Sequence, residues 1–246
     1  MIAAFLDTET TGLDPLKERV IQYAIVMYNI FTKKMIDYRS WLVYDKTFKI
    51  SQEKTHGWDL ATLVAYGKDP ATVLCDIQGF VRSYRPRFVL AHNGINFDRN
   101  FLREEVARAA KQPLLSDYLA NFDLLHLPWI DTLHHKDYPG CPGKALLTLA
   151  AHHGFLNPFP HNALFDCVTL AKIVEQYDIL EFVSKAAEAS YIVAAGGLPK
   201  YDWKTAPALN AKLKELGFKF ENHKGHRFEK TWFQVIPASK FHNLMQ

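Results

Sequence analysis

The sequence has few cysteines, no long apolar run and little excess of charge. Its three cysteines (Cys75, Cys141 and Cys167) lack CxxC spacing, which argues against a disulfide framework and against a zinc knuckle. No apolar stretch approaches the ~18 residues of a membrane-spanning helix, and the first residues lack the basic segment and cleavage site of a signal peptide. We therefore expect a cytoplasmic protein with no membrane partner.

The composition changes along the chain. The 246 residues carry a net charge of +3, and this length allows one good-sized core with a small appendage. The residues Gly196-Gly197-Leu198-Pro199 predict a linker. After them, residues 200–246 contain nine Lys or Arg but only four Asp or Glu. We therefore predict a large domain at 1–185 and a small basic, aromatic-rich α+β module at 198–246.

The order of predicted elements favours an α/β fold. Runs rich in β-branched and aromatic residues predict three strands in a meander, at 1–7, 20–30 and 34–44. Helices and short strands then alternate, at 69–84, 87–91, 98–110, 129–131, 144–153 and 163–177. This order predicts a mixed β-sheet flanked by helices.

Four carboxylates lie at the ends of predicted elements. Because side chains alternate along a strand, Asp7 and Glu9 project to the same side, about 7 Å apart. Two anions this close beside a core raise each other's pKa unless a positive charge lies between them. Asp98 and Asp166 each fall in the first turn of a predicted helix, where an acid alone is commonplace. Together, however, four carboxylates suit a hard divalent cation such as Mg²⁺.

A histidine completes a hydrolytic set with these acids. Two divalent ions ~4 Å apart can hold the attacking and leaving oxygens of a phosphodiester displacement. His161 lies five residues before Asp166. Because an imidazole titrates near neutrality, it can take a proton from the attacking water.

Three segments occur in the order found in a known nuclease family. They are Asp7-Thr8-Glu9-Thr10-Thr11-Gly12-Leu13, His92-Asn93 followed by Phe97-Asp98, and His161 followed by Asp166. Together they resemble the motifs of the DEDDh 3′–5′ exonucleases, which are relatives of the DNA polymerase proofreading subunit and have a ribonuclease H-like fold. The resemblance covers roughly residues 1–180. A sister group uses tyrosine near the position of the histidine, but the corresponding residue here is Asn162, which does not fit.

The resemblance implies a role for each motif residue. It implies two Mg²⁺ ions, for which Mn²⁺ can substitute, held by Asp7, Glu9, Asp98 and Asp166, with His161 as the general base. It also implies substrate contacts by four further residues: the backbone at Thr10, the wedge residue Leu13, the cleft residue His56, and Asn93. An ordinary loop histidine remains the alternative for His56, and a structural role remains the alternative for Asn93 and its neighbour His92. The pairs His134-His135 and His152-His153 have no zinc-ligand spacing.

The implied activity is release of nucleoside 5′-monophosphates from 3′ ends, with single-stranded or frayed DNA favoured as substrate. The alternatives are an RNA-trimming exoribonuclease of the same superfamily and a non-catalytic nucleic-acid-binding module. Cations interleaved with aromatics suit single strands, so Arg227 and Trp232 in the basic module are further candidates. A small lobe that packs its own aromatics is the alternative there. No clamp-binding or polymerase-binding motif is recognised, so association with a polymerase and the oligomeric state are left open.

Overall fold

The computed structural model describes residues 1–49, 56–188, 190–195, 207–215, 218–221 and 231–237. The chain divides into two compact units, Met1–Ala186 and Ala187–Gln246. Within the described residues no helix is both long and apolar enough to cross a membrane. The predicted linker at 196–199 lies outside the described ranges, and the domain boundaries at 185 and 198 stay predictions.

A mixed sheet forms the centre of the first unit. Within the described residues its strands are β1 (Ile2–Thr10), β2 (Val20–Asn29), β3 (Lys34–Leu42), β4 (Val89–Ala91) and β5 (Trp129–Asp131). The order is β3-β2-β1-β4-β5. The first three strands are antiparallel neighbours, while β4 is parallel to β1 and β5 is parallel to β4. This arrangement places β1, with the first motif, in the middle of the sheet.

Helices cover both faces of this sheet. The described part of the unit contains α1 (Leu60–Tyr66), α2 (Pro70–Tyr84), α3 (Asp98–Ala109), α4 (Ser116–Ala120), α5 (Asp123–His126), α6 (Leu146–His152), α7 (Ala163–Val174) and α8 (Ile179–Ala187). One core joins even-numbered β1 side chains such as Leu6 to α2 and α3. The other joins Phe5 and Val26 to α7 and α8. Burial on both faces explains why β2 is apolar almost throughout.

The predicted strands and helices of this unit are present, with shifted ends. The first strand continues past residue 7 to Thr10 because Glu9 is still paired with Gln22 of β2. The last predicted helix ends at Val174 rather than at 177. The structure therefore confirms the predicted fold class, a mixed sheet flanked by helices.

The second unit contains its own small sheet. Its described elements are β6 (Ser190–Ala195), α9 (Pro207–Glu215), β7 (Lys219–Glu221) and β8 (Thr231–Pro237), and the sheet order is β6-β8-β7. Strands β7 and β8 are antiparallel neighbours. Trp232 stands opposite Phe220 in that register. The predicted contacts of the Trp232 side chain, and Arg227 altogether, lie outside the described residues.

Candidate active site

The end of β1 places two carboxylates over one face of the sheet. Asp7 stands opposite Ala24 and Glu9 opposite Gln22, so both acids project toward α7. Thr8 projects to the other face, toward α3. The central strand therefore presents acids to one helix and a hydroxyl to the other.

The first residue of α3 supplies a third carboxylate. Asp98 is 2% exposed, and its Oδ1 accepts a hydrogen bond of 2.7 Å from the hydroxyl of Thr8. The turn before this helix is tight at Gly94, where a Cβ atom would lie 2.2 Å from the Cβ of Ala91. The position needs glycine because of this close approach. The turn brings the helix start, and with it Asp98, beside the carboxyl end of β1, where Thr8 bonds it.

A buried carboxylate holds the same turn from β5. Asp131 is 0% exposed and accepts backbone N–H bonds from Asn93, Ile95 and Leu133 at 2.9, 3.2 and 3.0 Å. Three backbone donors thus occupy its carboxylate oxygens, and Asp131 holds the turn in place.

The first turn of α7 supplies the fourth carboxylate. Asp166 Oδ1 accepts a bond of 2.6 Å from the side-chain amide of Asn157, and its Oδ2 accepts one of 3.0 Å from the backbone N–H of His161. Asn162 caps the helix by accepting from the N–H of Leu164 at 3.2 Å. The Asn162 side chain therefore caps α7. The sister group of exonucleases with a catalytic tyrosine would need tyrosine at this position.

One cleft brings the four motif carboxylates together with His161. Its volume is about 470 Å³, and the four acids and His161 lie on its wall. One ligand atom each from Glu9, His161 and Asp166 lie within 4.8 Å of one another. His161 has a left-handed backbone with φ of 60° and an exposed side chain. The structure thus brings together the five residues predicted to be catalytic.

The predicted substrate-binding residues of the first unit also line this cleft. Leu13 is 84% exposed on the rim. The Thr10 hydroxyl donates to the carbonyl oxygen of Gly12 at 2.6 Å, and Thr10 lines the cleft. His56 is buried, and its Nδ1 accepts from the N–H of Trp58 at 3.0 Å. Asn93 has φ of 66° and donates its N–H to Asp131.

His92 also lines the cleft but is bonded on both sides of its ring. Nδ1 lies 2.9 Å from the hydroxyl of Thr132, and Nε2 lies 2.8 Å from the carbonyl oxygen of Lys144. A carbonyl can only accept, so Nε2 carries a proton. Burial lowers the pKa of His92. These contacts favour the structural alternative for this residue.

The acids of the cleft hold protons unusually tightly. Burial raises the pKa of Glu9 to about 8, and Asp166 and Asp98 add to the rise. Burial likewise raises the pKa of Asp98 to about 7 and that of Asp166 to about 6. The pKa of Asp7 is well above its ordinary value, first because of burial and then because of the other three carboxylates.

This donor set fits a divalent cation. Among the described residues that line the cleft there is no Lys or Arg to balance the carboxylates. Burial, followed for Asp7 and Glu9 by the charges of the other carboxylates, raises these pKa values, and a bound cation would oppose that rise. Hard carboxylate oxygens are the ligands that Mg²⁺ and Mn²⁺ prefer.

Sequence reasoning missed the residues that orient the acids. Thr8 and Asn157 each bond one carboxylate. Thr8 lies between two motif acids, but its partner is 90 residues away. Asn157 precedes a proline, which indicates a turn but not which carboxylate the amide meets.

Solved structures share the fold of this chain, although no protein-family model and no curated protein matches its sequence. E. coli exonuclease I in complex with a dA16 oligonucleotide is similar at 18% identity and a TM-score of 0.58, over 74% of this chain and 42% of that one. Its complex with a dT13 oligonucleotide is similar at 16% identity and a TM-score of 0.58, over 95% and 51%. A product-bound exonuclease I is similar at 18% identity and a TM-score of 0.57, over 74% and 45%. This chain thus spans about half or less of the length of these proteins. The chain has the ribonuclease H-like fold of exonuclease I, which confirms at the level of fold the predicted resemblance to the DEDDh exonucleases.

Proposed function

We propose that this protein is a cytoplasmic, divalent-metal-dependent 3′–5′ exonuclease that releases nucleoside 5′-monophosphates from single-stranded or frayed ends, with DNA favoured. The observation that carries the proposal is the convergence of four carboxylates and a histidine, from β1, α3, α7 and the turn before α7, on one cleft whose described lining includes no Lys or Arg. The fold shared with exonuclease I supports it.

Asp7, Glu9, Asp98 and Asp166 would hold two Mg²⁺ ions, for which Mn²⁺ substitutes. When bound, the cations supply positive charge that offsets the carboxylates and polarises water and the phosphodiester. His161 stands exposed within 4.8 Å of ligand atoms of Glu9 and Asp166. From there its imidazole takes the proton of the attacking water.

The rim of the cleft suits the end of a nucleic-acid strand. Leu13 projects into solvent beside the acids, so it can pack against the terminal base. The backbone at Thr10, together with His56 and Asn93, contacts the terminal nucleotide. Exonuclease I has been crystallised with single-stranded oligonucleotides, which supports the single-stranded substrate.

Two alternatives share the same site. An RNA-trimming exoribonuclease would use identical chemistry, and matched DNA and RNA oligonucleotides separate the two. A non-catalytic binding module is disfavoured because all five residues of the hydrolytic set are present. In the basic module, Arg227 and Trp232 remain proposed contacts to single strands.

The test is degradation of a 5′-labelled single strand by the purified protein. With Mg²⁺ or Mn²⁺ we expect a ladder of labelled products that shortens from the 3′ end, and chelator should abolish it. Asp7→Asn should reduce the rate by at least about a thousandfold, because it removes an anionic ligand of the proposed cations that polarise water and the phosphodiester. Asp117→Asn, at an exposed acid on α4, is the matched control and should keep full activity. Activity that survives chelation, or a labelled mononucleotide as the first product, would overturn the proposal.

A further inference from the structure

A buried glutamine on β2 is hydrogen-bonded to two segments of the cleft. One segment carries His56, which is proposed to contact substrate, and the other carries His161, which is proposed to take a proton from water. Gln22 is 2% exposed and stands opposite Glu9, so both side chains leave the same face of the sheet. Its side-chain amide has four hydrogen-bond partners, and no cleft carboxylate is among them. Gln22 therefore belongs to the frame around the site and not to its ligand set.

The carbonyl end of this amide joins two segments. Gln22 Oε1 accepts the backbone N–H of Ala163 at 3.1 Å and the indole N–H of Trp58 at 2.9 Å. Ala163 lies two residues after His161. Trp58 in turn donates its backbone N–H to Nδ1 of His56 at 3.0 Å. A single oxygen atom thus fixes the segments of both histidines relative to β2.

The nitrogen end fixes the orientation of the amide. Gln22 Nε2 donates to the hydroxyl of Ser40 at 3.0 Å and to Oδ1 of Asn162 at 3.4 Å. A flipped amide would turn its NH₂ group toward the donors of Trp58 and Ala163, so one orientation alone satisfies every partner.

His161 needs such support because its backbone is strained. A non-glycine residue with φ of 60° persists only where its neighbours hold it. The backbone N–H of His161 itself donates to Asp166. On the following side, Gln22 binds the next two residues, Asn162 and Ala163. Without Gln22 the turn is free to relax, and the imidazole would move away from Glu9.

We propose that Gln22 is a positioning residue, which holds His161 in the cleft through the start of α7 and holds His56 through Trp58. The inference rests on the proposed nuclease function, because it assigns Gln22 to the support of that site.

The first measurement is steady-state kinetics at saturating Mg²⁺ on a single-stranded oligonucleotide. Gln22→Met keeps the length of the side chain but loses all four bonds, and we expect kcat to fall about 10–100-fold, as for other residues that orient ligands from behind. The fall in kcat should exceed the change in KM, because Leu13 and Thr10 are untouched and His56 is the proposed substrate contact that loses support. The control Ser40→Ala removes only the partner on the exposed edge of the sheet, and its kcat should stay close to that of the wild type.

The second measurement is hydrogen–deuterium exchange of the metal-free protein, which needs no activity. Gln22→Met should accelerate exchange in peptides covering 161–165 and 56–60 but not in α2. Gln22→Glu keeps acceptor oxygens for Trp58 and Ala163, so it should retain more protection than Gln22→Met. If Gln22→Met does not fold, Trp58→Phe tests one arm, with faster exchange expected at 56–60 alone.

Unchanged exchange at these segments, or a kcat that falls no more than in Ser40→Ala, would refute the role of Gln22. A wild-type protein without nuclease activity would refute the proposed function instead, while the exchange experiment still tests whether Gln22 holds the two segments.

Discussion

Thr8 determines where the carboxylate of Asp98 points. Its hydroxyl is buried and donates to Asp98 Oδ1 at 2.7 Å. The bond joins the central strand to the first residue of α3 across the face opposite Asp7 and Glu9. Strand alternation could be read from the sequence, but this partnership could not, because only the folded chain brings the two residues together.

The Thr8 bond can be tested with two close variants. Thr8→Val keeps the shape but loses the donor, so Asp98 is less well oriented, and Mn²⁺ affinity should fall about tenfold. Thr8→Ser keeps the hydroxyl and should stay near the wild type. Calorimetric titration with Mn²⁺ measures both, and equal affinities for the two variants would contradict the role of the hydroxyl.

The raised pKa values of the cleft acids predict how pH acts on the metal-free protein. Glu9 and Asp98 have folded-state pKa values of about 8 and about 7, above the ~4 of carboxyls in an unfolded chain. The folded protein binds these protons more tightly, so their contribution to stability is present at low pH and is lost as the pH rises through about 7–8. We expect the Tm of the metal-free protein to fall between pH 6 and pH 8.5.

Variants and added metal separate this effect from other titrating groups. The double variant Glu9→Gln, Asp98→Asn should show a smaller fall in Tm over the same range. Mg²⁺ should raise the Tm of the wild type more at pH 8.5 than at pH 6, because metal ions and protons compete for the carboxylates. If the Tm of the wild type and that of the double variant fall equally with pH, Glu9 and Asp98 are not the cause of the fall.

At the scale of elements, the turns before α3 and α7, at the carboxyl end of the sheet, determine where the site acids lie. The sequence indicated that acids begin α3 and α7, since apolar periodicity located both helices. It did not reveal what holds the preceding turns. Asp131 accepts hydrogen bonds from three backbone N–H groups around the turn that leads to α3. Asn157, which precedes α7, donates to Asp166 in the first turn of that helix. Such contacts depend on side chains meeting from different segments, which periodicity does not encode.

The tight turn before α3 gives a prediction with an internal control. In Gly94→Ala the new methyl group would lie 2.2 Å from the Cβ of Ala91 and 3.3 Å from Asp98 Oδ2. The turn must shift, so we expect a loss of about 1–3 kcal/mol in the free energy of unfolding, together with weaker nuclease activity. Gly79→Ala, inside α2, has no atom within 4 Å of the new Cβ and should instead gain up to about 1 kcal/mol. Urea unfolding of both variants measures the difference, and a Gly94→Ala protein as stable as Gly79→Ala would contradict the close approach.

At the scale of the whole molecule, the fold was predictable because two patterns agree. Three strands rich in β-branched and aromatic residues, followed by alternating helices and strands, indicated a mixed sheet, and the motif acids fell at the ends of those elements. Both are visible in the structure, where β1 is central and its end opens into the cleft. Strand β6 and its pairing with β8 were not predicted. The paired residues lie about 40 positions apart in the chain. Long-range strand pairing leaves little trace in local sequence.

The shared fold with exonuclease I covers only part of those larger proteins. Because the sequence identity to those proteins is below 20%, the similarity shows the fold alone. The chemistry is therefore inferred from the cleft of this chain. In that cleft, four carboxylates face one another without a lining cation among the described residues. The central claim is therefore that this arrangement binds divalent metal.

A crystal grown with Mn²⁺ tests this claim most directly through anomalous scattering. We predict strong anomalous peaks in the cleft, with carboxylate oxygens of Asp7, Glu9, Asp98 and Asp166 at 2.0–2.3 Å, about the distances usual for such hard ions. An empty cleft at saturating Mn²⁺, with the four side chains turned apart, would contradict the account.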